Sequence, residues 1–384
     1  MKIKYTGPAK DYSGYGECSR HDINSLLAAN ISVTAEIPIY TLESADYGEV
    51  GAKAVECENL ELGYRIKILH TTPNVYTNYL EKEKYHIGRA FWETDKVPLD
   101  FATNLQLVDE IWTGSKTNEQ AIRNAGVTKP IHIIPEAIDA EIDIENIRPF
   151  LVENQDAYKF YSIFEWTERK NPKGLLTAYW RAFEKHPKAK VALLLKTYVD
   201  NFTPKKFAEI EQAIKKLKAQ LGLSYYAPVY IYRDIMTRNQ IYRFHKTGDC
   251  FVSAHRGEGW GIPQMEAMLL GNPIISTNYG GIHDYLTNNK NAILIPHELK
   301  PVENSRNKQW YTTDQKWADA NIDNLTNAFF AAYNDKKQMT KIGKAGRKLV
   351  KTKFSFSAVG ALMRKRLYQI SDELLQGQSD QAEN

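Results

Sequence analysis

Cysteine is scarce in this sequence, and long apolar runs are missing from it. The three cysteines, Cys18, Cys57 and Cys250, are odd in number and far apart, so they form neither a disulfide framework nor a zinc-ligand cluster. No run of about 18 apolar residues indicates a membrane span, and the N-terminal MKIKYTGPAK lacks the apolar core of a secretory signal. We therefore expect a soluble protein in the reducing cytoplasm, with no transmembrane segment.

Metal-binding signatures are also missing, and basic charge is scarce in the first part of the chain. No Asp-x-Asp motif follows a predicted strand. Residues 1–150 contain 15 Lys+Arg against 23 Asp+Glu, a balance of −8, whereas the remainder contains 35 against 23, or +12. A basic half favours an anionic ligand such as a nucleotide diphosphate. A solvated basic face on long surface helices explains much of the same excess.

The 384 residues have an ordinary globular composition, and apolar strand patterns alternate with helical ones along the sequence. In the first part the pattern predicts strands at 2–6, 31–39, 65–69, 85–91, 110–114 and 131–135, with helices over 15–30 and 115–126. In the second part it predicts strands at 158–166, 190–198, 228–234, 249–254, 272–278 and 291–296, separated by helices over 173–186, 204–221, 237–246 and 262–270. Ser115 is expected to cap its helix and Gly126 to end it.

Strands separated by helices of this length predict parallel sheets, and hence two doubly wound α/β domains in tandem. We place an N-terminal Rossmann-like domain at 1–150 and a C-terminal one at 151–350, with the linker in the irregular segment 139–157. Residues 297–318 either line a cleft or form a surface excursion. Helices are expected from 319 to about 375, before a frayed tail.

The most informative segment is AHRGEGWGIPQMEAMLLGNP, which follows the predicted strand DCFVSA. Pro263 suits the first turn of a short helix, and the free N–H groups at that helix start can bind an anion. Glycines allow the backbone to approach a ligand, and Glu258 and Glu266 can accept hydrogen bonds from sugar hydroxyls. Either glutamate alone is better explained as a turn or surface residue, but the pair with its glycines predicts a binding site.

This segment, continued as IISTNYGGIHDYL, resembles the nucleotide-binding signature of the retaining glycosyltransferases of family four (glycosyl transferases group 1), which have the GT-B architecture. The likeness extends to four further segments of the family, which match FEWTERKNPKGLLTAYWRAF, VDEIWTGSKTNEQAIRNAGV, IPEAID and SGYG here. It therefore covers most of the chain. It implies a hexosyl- or pentosyltransferase that uses a UDP- or GDP-sugar and retains configuration. It also implies an acceptor-binding first domain, a donor-binding second domain and a C-terminal helix, within 351–384, that crosses back to the first.

Donor-site residues follow from the resemblance. Glu258 matches the family glutamate on the donor sugar, Glu266 the one on the nucleotide ribose, and the Arg169–Lys170 pair the cations on the diphosphate. The remaining donor-binding expectations are Gly257, Gly259, Trp260, Gly261 and Arg233, with Gly14 and Gly16 in the first domain. The family's usual Gly-Arg pair is missing from SIFEW, so either Arg169 or Arg256 takes its part. Arg233 is equally consistent with a surface residue.

Two further sets of residues concern the reacting centre and the acceptor. His70 follows a predicted strand and matches the family's first-domain histidine near the reacting centre, although His86 competes for that role. Trp92, Glu93 and Asp95 are possible acceptor contacts. Fixed cations and helix N–H groups can stabilise the leaving diphosphate, so we expect no metal requirement.

The acceptor itself is left open by the sequence. A glycan or a lipid-linked sugar is the default expectation, and a hydroxymethylated DNA base is the alternative. The acidic first domain argues mildly against DNA, whereas the basic second domain could bind phosphates. A non-catalytic sugar-binding or nucleotide-binding protein and a sugar-nucleotide epimerase are the rival classes.

Overall fold

Two parallel sheets form the centre of the molecule. A computed structural model describes residues 1–40, 46–199 and 204–382, and the statements below concern these residues. The strands of the first sheet are β1 (Lys2–Thr6), β2 (Ser32–Glu36), β3 (Ile66–Leu69), β4 (Tyr85–Arg89), β5 (Glu110–Thr113) and β6 (Ile131–Ile133). Their order is β2-β1-β3-β4-β5-β6, all parallel.

The second sheet has the order β12-β11-β10-β7-β8-β9, again all parallel. Its strands are β7 (Tyr158–Glu165), β8 (Val191–Tyr198), β9 (Val229–Tyr232), β10 (Cys250–Ser253), β11 (Ile274–Thr277) and β12 (Ile293–Ile295). The prediction of two doubly wound α/β domains is confirmed.

Helices cover the faces of both sheets. Those of the first domain are α1 (Gly14–Ala28), α2 (Gly48–Val55), α3 (Leu99–Leu105) and α4 (Lys116–Asn124). Those that follow are α5 (Pro172–Phe183), α6 (Pro204–Leu221), α7 (Arg238–Thr247), α8 (Ile262–Leu269), α9 (Ile322–Asn334), α10 (Lys336–Lys353) and α11 (Phe356–Ala382). As predicted, Ser115 caps α4 by accepting from the Asn118 N–H, and Gly126 follows it with φ +84°.

Several boundaries differ from the sequence-based prediction. Strand β2 ends at Glu36, three residues before the predicted end, and the short helices α2 and α3 were not predicted. The polar segment 297–318 contributes an antiparallel pair, β13 (His297–Pro301) and β14 (Lys316–Ala320). Its strands lie outside both large sheets, so the segment lacks the apolar periodicity that predicts a sheet strand. Helix α11 continues to Ala382, so the expected tail is mostly helical.

Helix α11 packs against α1 of the first domain. Val359, Met363, Leu367 and Ile370 are fully buried, at a spacing that forms one helical face, in the same apolar cluster as Ile23 and Leu26. A Cβ atom at Gly360 would lie 2.1 Å from the Ser25 carbonyl oxygen. The two helices therefore approach more closely than any larger residue would allow.

Candidate functional site

A pocket of about 490 Å³ lies between the two domains, and we call it the interdomain pocket. It opens where each sheet reverses its strand order, between β1 and β3 in one and between β7 and β10 in the other, which is where open α/β sheets bind ligands. The first domain lines it with Tyr12, Ser13, Gly14, Tyr15, Glu17, Cys18, Arg20, Asp46, His70, Phe91 and Glu93. The second domain contributes, among others, Glu165, Arg169, Lys170, Lys196, Tyr198, Arg238, Glu258, Trp260, Gly261 and Glu266.

Glu258 lies in this pocket within an ion pair. Its Oε2 is 2.5 Å from Nζ of Lys170, and the glutamate side chain is 11% exposed. Burial alone would raise the pKa of Glu258, but the positive charges of Lys170 and Arg169 outweigh it and hold the pKa at about 2. Glu258 is therefore a carboxylate at neutral pH, available as a charged hydrogen-bond acceptor.

Arg169 and Lys170 share a 3₁₀ turn, Glu168–Lys170, between β7 and α5. Arg169 donates from Nη1 to the Gly257 carbonyl at 2.9 Å, and its Nη2 lies 3.6 Å from Oε1 of Glu93. The turn thereby places two cations beside the loop that carries Glu258. One of them also contacts the first domain.

Glu266 has two partners that the sequence did not reveal. Arg238, at the start of α7, pairs with its Oε1, and Nε2 of His245 lies 3.1 Å from its Oε2. Burial would raise the pKa of Glu266, but Arg238 and His245 hold it below its usual value. Nε of Arg238 also lies 3.2 Å from Oε1 of Glu17 in α1, so this arginine joins the two domains.

Helix α8 begins at the pocket wall. Gly261 is its N-cap with φ +96°, where the first turn has no side-chain cap within the described part of the chain. The Tyr285 hydroxyl donates to the carbonyl oxygens of Trp260 and Gly261 at 2.7 and 3.3 Å, which anchors the N-cap. Pro263 has no N–H and the Met265 N–H donates to the Gly261 carbonyl, so Ile262 and Gln264 carry the N–H groups that the first turn can offer to an acceptor. A helix start of this kind attracts anions.

The glycines before α8 serve the contact between the domains. A Cβ atom at Gly257 would lie 2.1 Å from the Glu93 carbonyl oxygen, and one at Gly259 would lie 3.3 Å from Cβ of Phe91. Asn118 donates from Nδ2 to the Gly259 carbonyl at 2.7 Å. Gly257 and Gly259 thus allow the first domain to approach the loop, and neither of them lines the interdomain pocket. Trp260 and Gly261 do line it.

His70 and the N-terminal glycine loop lie on the opposite wall. His70 is buried, its Nδ1 is bonded to the Tyr5 hydroxyl, and burial together with Arg89 holds its pKa well below the usual value. Gly14 lines the pocket with open space at its Cβ position, whereas a Cβ at Gly16 would meet the Asp11 carbonyl at 2.1 Å. His86, the competitor of His70, lies away from the pocket and accepts from the Glu81 N–H.

Of the three expected acceptor contacts, only Glu93 lines the interdomain pocket. The Trp92 ring is buried and stacks on Tyr311, with centroids 5.0 Å apart. Asp95 accepts from the Lys316 N–H at 2.6 Å. Trp92 and Asp95 therefore hold the segment around β14 onto the first domain, and neither lines the interdomain pocket.

Two of the expected donor-site arginines also lie elsewhere. Arg233 is about half exposed and pairs with Glu211 at 3.0 Å, outside the pocket. Arg256 pairs with Asp319 at 2.8 Å and lies over the Trp317 ring. Arg256 therefore lies outside the interdomain pocket, whereas Arg169 lines it. Lys196, near the end of β8, also lines the interdomain pocket, although the sequence analysis did not single it out. Burial lowers its pKa to about 8.

Neither a metal-binding cluster nor a membrane-spanning helix is found among the described residues. Within them, no three His, Cys, Asp or Glu side chains are grouped so as to hold a metal ion. None of the helices in those ranges has the length and apolar character needed to cross a bilayer. The three cysteines are all buried and unpaired.

Residues 143–324, from the linker through the 3₁₀ turn and the glycine loop into the start of α9, match the sequence profile of the family named Glycosyl transferases group 1. This segment, 182 of the 384 residues, is similar to a glycosyl transferases group 1 domain. The match covers the second sheet and includes Arg169, Lys170, Glu258 and Glu266. None of the curated proteins matches the chain.

Solved structures resemble nearly the whole chain, not only residues 143–324. Anabaena HepE in complex with UDP and glucose is 14% identical, with a TM-score of 0.64, over 96% of this chain and 100% of that one. Sucrose-phosphate synthase from Thermosynechococcus elongatus is 15% identical, with a TM-score of 0.69, over 97% and 100%. A glycosyltransferase from Rickettsia africae is 14% identical, with a TM-score of 0.63, over 98% of each. At these identities the likeness concerns the fold, and it confirms the predicted GT-B architecture.

Proposed function

We propose that the protein is a retaining glycosyltransferase that moves a sugar from a nucleotide-diphosphate sugar to an acceptor hydroxyl. The observation that carries the proposal is the Lys170–Glu258 ion pair beside Arg169 and the start of α8, within a group 1 domain. One wall of the interdomain pocket thus combines a sugar-hydroxyl acceptor with cations and free N–H groups for a diphosphate.

In this proposal the two glutamates hold opposite ends of the donor. Glu258 accepts hydrogen bonds from the donor sugar, since its carboxylate is ionised and lies in the pocket. Glu266 accepts from the ribose, and Arg238 keeps its carboxylate ionised and oriented. The backbone at Trp260 and Gly261 faces the sugar and the diphosphate between them.

The chemistry requires stabilisation of negative charge on the leaving diphosphate. Arg169, Lys170 and the first turn of α8 supply fixed positive charge and N–H donors where that charge develops. Because these groups neutralise the diphosphate, the proposal includes no divalent metal. Arg169 takes the part of the arginine that the family usually has at the end of the preceding strand.

Retention of configuration is proposed to occur without a covalent enzyme intermediate. The leaving phosphate accepts the proton of the acceptor hydroxyl as the new glycosidic bond forms on the same face of the sugar. Glu258, with a pKa of about 2, has no proton to donate at neutral pH and positions the donor, unlike the acid of a glycosidase pair. His70 and Glu93 face the same pocket from the first domain, where we place the acceptor.

For the donor we propose UDP or GDP as the nucleotide, and for the acceptor a glycan or a lipid-linked sugar, in the cytoplasm. The complex of Anabaena HepE with UDP and glucose is consistent with a uridine donor for a protein of this fold. A hydroxymethylated DNA base is the alternative acceptor, and salt-dependent retention of the protein on duplex DNA would favour it.

A direct assay measures nucleotide diphosphate release from UDP- and GDP-sugars, with oligosaccharide and lipid-linked acceptors, and determines the anomeric configuration of the product by NMR. Release that depends on an acceptor, with the donor's configuration retained, supports the proposal. Isomerised donor in the absence of acceptor would indicate an epimerase. Nucleotide binding without any product would indicate a non-catalytic binding protein.

A further inference from the structure

A second cavity, of about 470 Å³, lies beside the interdomain pocket but is lined by other residues. The 3₁₀ turn Glu168–Lys170 borders both spaces: Arg169 and Lys170 line the interdomain pocket, and Glu168 lines the second cavity. The remaining walls come from the start of α5 and from the β13–β14 pair. Its volume is in the range of small-molecule sites, about 300–1,000 Å³. The proposed transfer reaction uses none of its side chains.

Two tryptophans and two prolines, Pro172 and Pro301, form the apolar part of this second cavity. Trp166 follows β7 and is 8% exposed, and Trp317 lies in β14 and is 4% exposed. The Arg256 guanidinium lies 5.3 Å from the Trp317 ring centroid and donates to the Glu168 carbonyl at 3.0 Å, so one wall is held in place. Aromatic walls with a few placed polar groups are typical of small-molecule sites.

Three residues that line the cavity each have one buried side-chain atom without a hydrogen-bond partner among the described residues. Asn171 is 3% exposed; its Oδ1 accepts from the Gly174 N–H at 3.1 Å, while its Nδ2 has no acceptor. Oε2 of Glu168 and Oγ1 of Thr167 are buried and unpartnered in the same part of the chain. Buried polar groups of this kind are rare and costly, so a ligand that both donates and accepts hydrogen bonds would stabilise them.

Charge around the cavity is balanced, which argues against an ion as the ligand. Asp319 pairs with Arg256 at 2.8 Å and with Lys300 at 3.1 Å. The three lining cations are Lys173, Arg256 and Lys300, and the three lining carboxylates are Glu168, Glu303 and Asp319. A phosphate would also lie beside the unpartnered carboxylate oxygen of Glu168, and like charges repel.

We propose that this cavity binds a neutral carbohydrate unit. Sugar hydroxyls donate as well as accept, so one ligand can serve the Asn171 amide and the Glu168 carboxylate together, while its less polar ring face packs against tryptophan. The site is separate from the donor pocket and does not depend on the proposed transfer reaction. Its occupant lies against the turn that carries Arg169 and Lys170.

The test is isothermal titration calorimetry on the full chain without nucleotide. The neutral probes are methyl α-glucoside, methyl β-galactoside and maltose, and the charged probes are inorganic phosphate and glucuronate. Lys173→Trp fills the cavity from an exposed position, and Glu168→Ala removes an acceptor. Lys215→Trp, at an exposed position of α6 outside both cavities, is the matched control, and Glu258→Gln reports on the interdomain pocket.

We expect a neutral probe to bind the wild type, Lys215→Trp and Glu258→Gln alike. Lys173→Trp should abolish that binding, and Glu168→Ala should weaken it about tenfold through loss of a charged hydrogen bond. The proposal is overturned if no neutral probe binds or if binding survives Lys173→Trp. It is also overturned if binding is lost in Glu258→Gln instead, which locates the sugar in the interdomain pocket, or if only a charged probe binds.

Discussion

Arg238 of the second domain forms an ion pair with Glu17 of the first, with Nε 3.2 Å from Oε1. The same guanidinium pairs with Glu266, the proposed ribose contact. Glu17 is in turn within 2.5 Å of Arg20 and 3.0 Å of His21, so it is anchored in α1. One arginine thus connects the proposed donor site to the contact between the domains.

Arg238→Met is expected to destabilise the protein by about 3–5 kcal/mol, because it leaves two buried carboxylates without their main partner. Adding Glu266→Gln should recover part of that loss, since one uncompensated charge is removed. Urea denaturation of the two single variants and the double variant measures the coupling. Simple additivity of the two changes would mean that the Arg238–Glu266 pair has no energetic role.

Glu258→Gln and Lys170→Ala are each expected to reduce sugar transfer by about 10²–10³-fold, the scale for removal of one preorganised polar contact to the transition state. Arg169 still faces Glu258 when Lys170 is removed, so the fold should persist. Nucleotide release measures activity, and circular dichroism measures folding. Lys215→Ala, at an exposed site on α6, is the control. Activity within a few-fold of wild type in both site variants would refute the assignment.

Acid should destabilise the wild type more than Glu258→Gln. The unfolded state binds a proton at Glu258 near its ordinary pKa of 4.5, whereas the folded state binds it only near 2. The ion pair therefore stabilises the fold above pH 4.5, and that contribution, about 3 kcal/mol, is lost as the pH falls from 4.5 to 2. Free energies of unfolding across this range test it, and parallel pH profiles for the two proteins would contradict it.

Gly257→Ala is expected to weaken both stability and activity. Its Cβ would lie 2.1 Å from the Glu93 carbonyl oxygen, so the loop and the first domain would have to separate, at a typical overpacking cost of about 1–3 kcal/mol. Gly63→Ala is the control, because its Cβ would meet nothing within 4 Å. Melting temperatures of the two variants give the comparison. Equal melting temperatures would show that the contact yields without cost.

Arg233→Ala should leave donor affinity close to wild type, because Arg233 lies outside the interdomain pocket and pairs with Glu211 on the surface. Exposed ion pairs contribute about 0–1 kcal/mol to stability, so the fold should be unaffected as well. The KM for the donor measures this. A tenfold rise would place the base of the nucleotide beside β9 after all.

Local sequence patterns were sufficient to predict the two sheets and the loop before α8. Glycine spacing, Pro263 and the preceding buried strand together predict a helix start at a strand's carboxyl end, and the structure has one there. The β13–β14 pair was not predicted, because its strands pair outside the two parallel sheets and carry no buried alternation on β13.

Local sequence patterns did not predict which residues pair with the site residues. Thr237 and Gln240 form a capping box at the start of α7, yet nothing local shows that Arg238 turns toward Glu266 and Glu17. Arg256 was a plausible phosphate contact by position, and only the fold brings Asp319 to it. Long-range pairings of this kind depend on the tertiary arrangement.

Binding of a nucleotide diphosphate beside Lys170 is tested by a thermal-shift series with UDP, GDP, ADP, CDP and dTDP on the wild type and Lys170→Ala. A ligand that binds only the folded state at about 100 times its Kd adds about 2.7 kcal/mol of stability. We expect one diphosphate, UDP or GDP, to raise the melting temperature of the wild type, and Lys170→Ala to lose most of this rise. No rise with any of them, or an undiminished rise in Lys170→Ala, would contradict it.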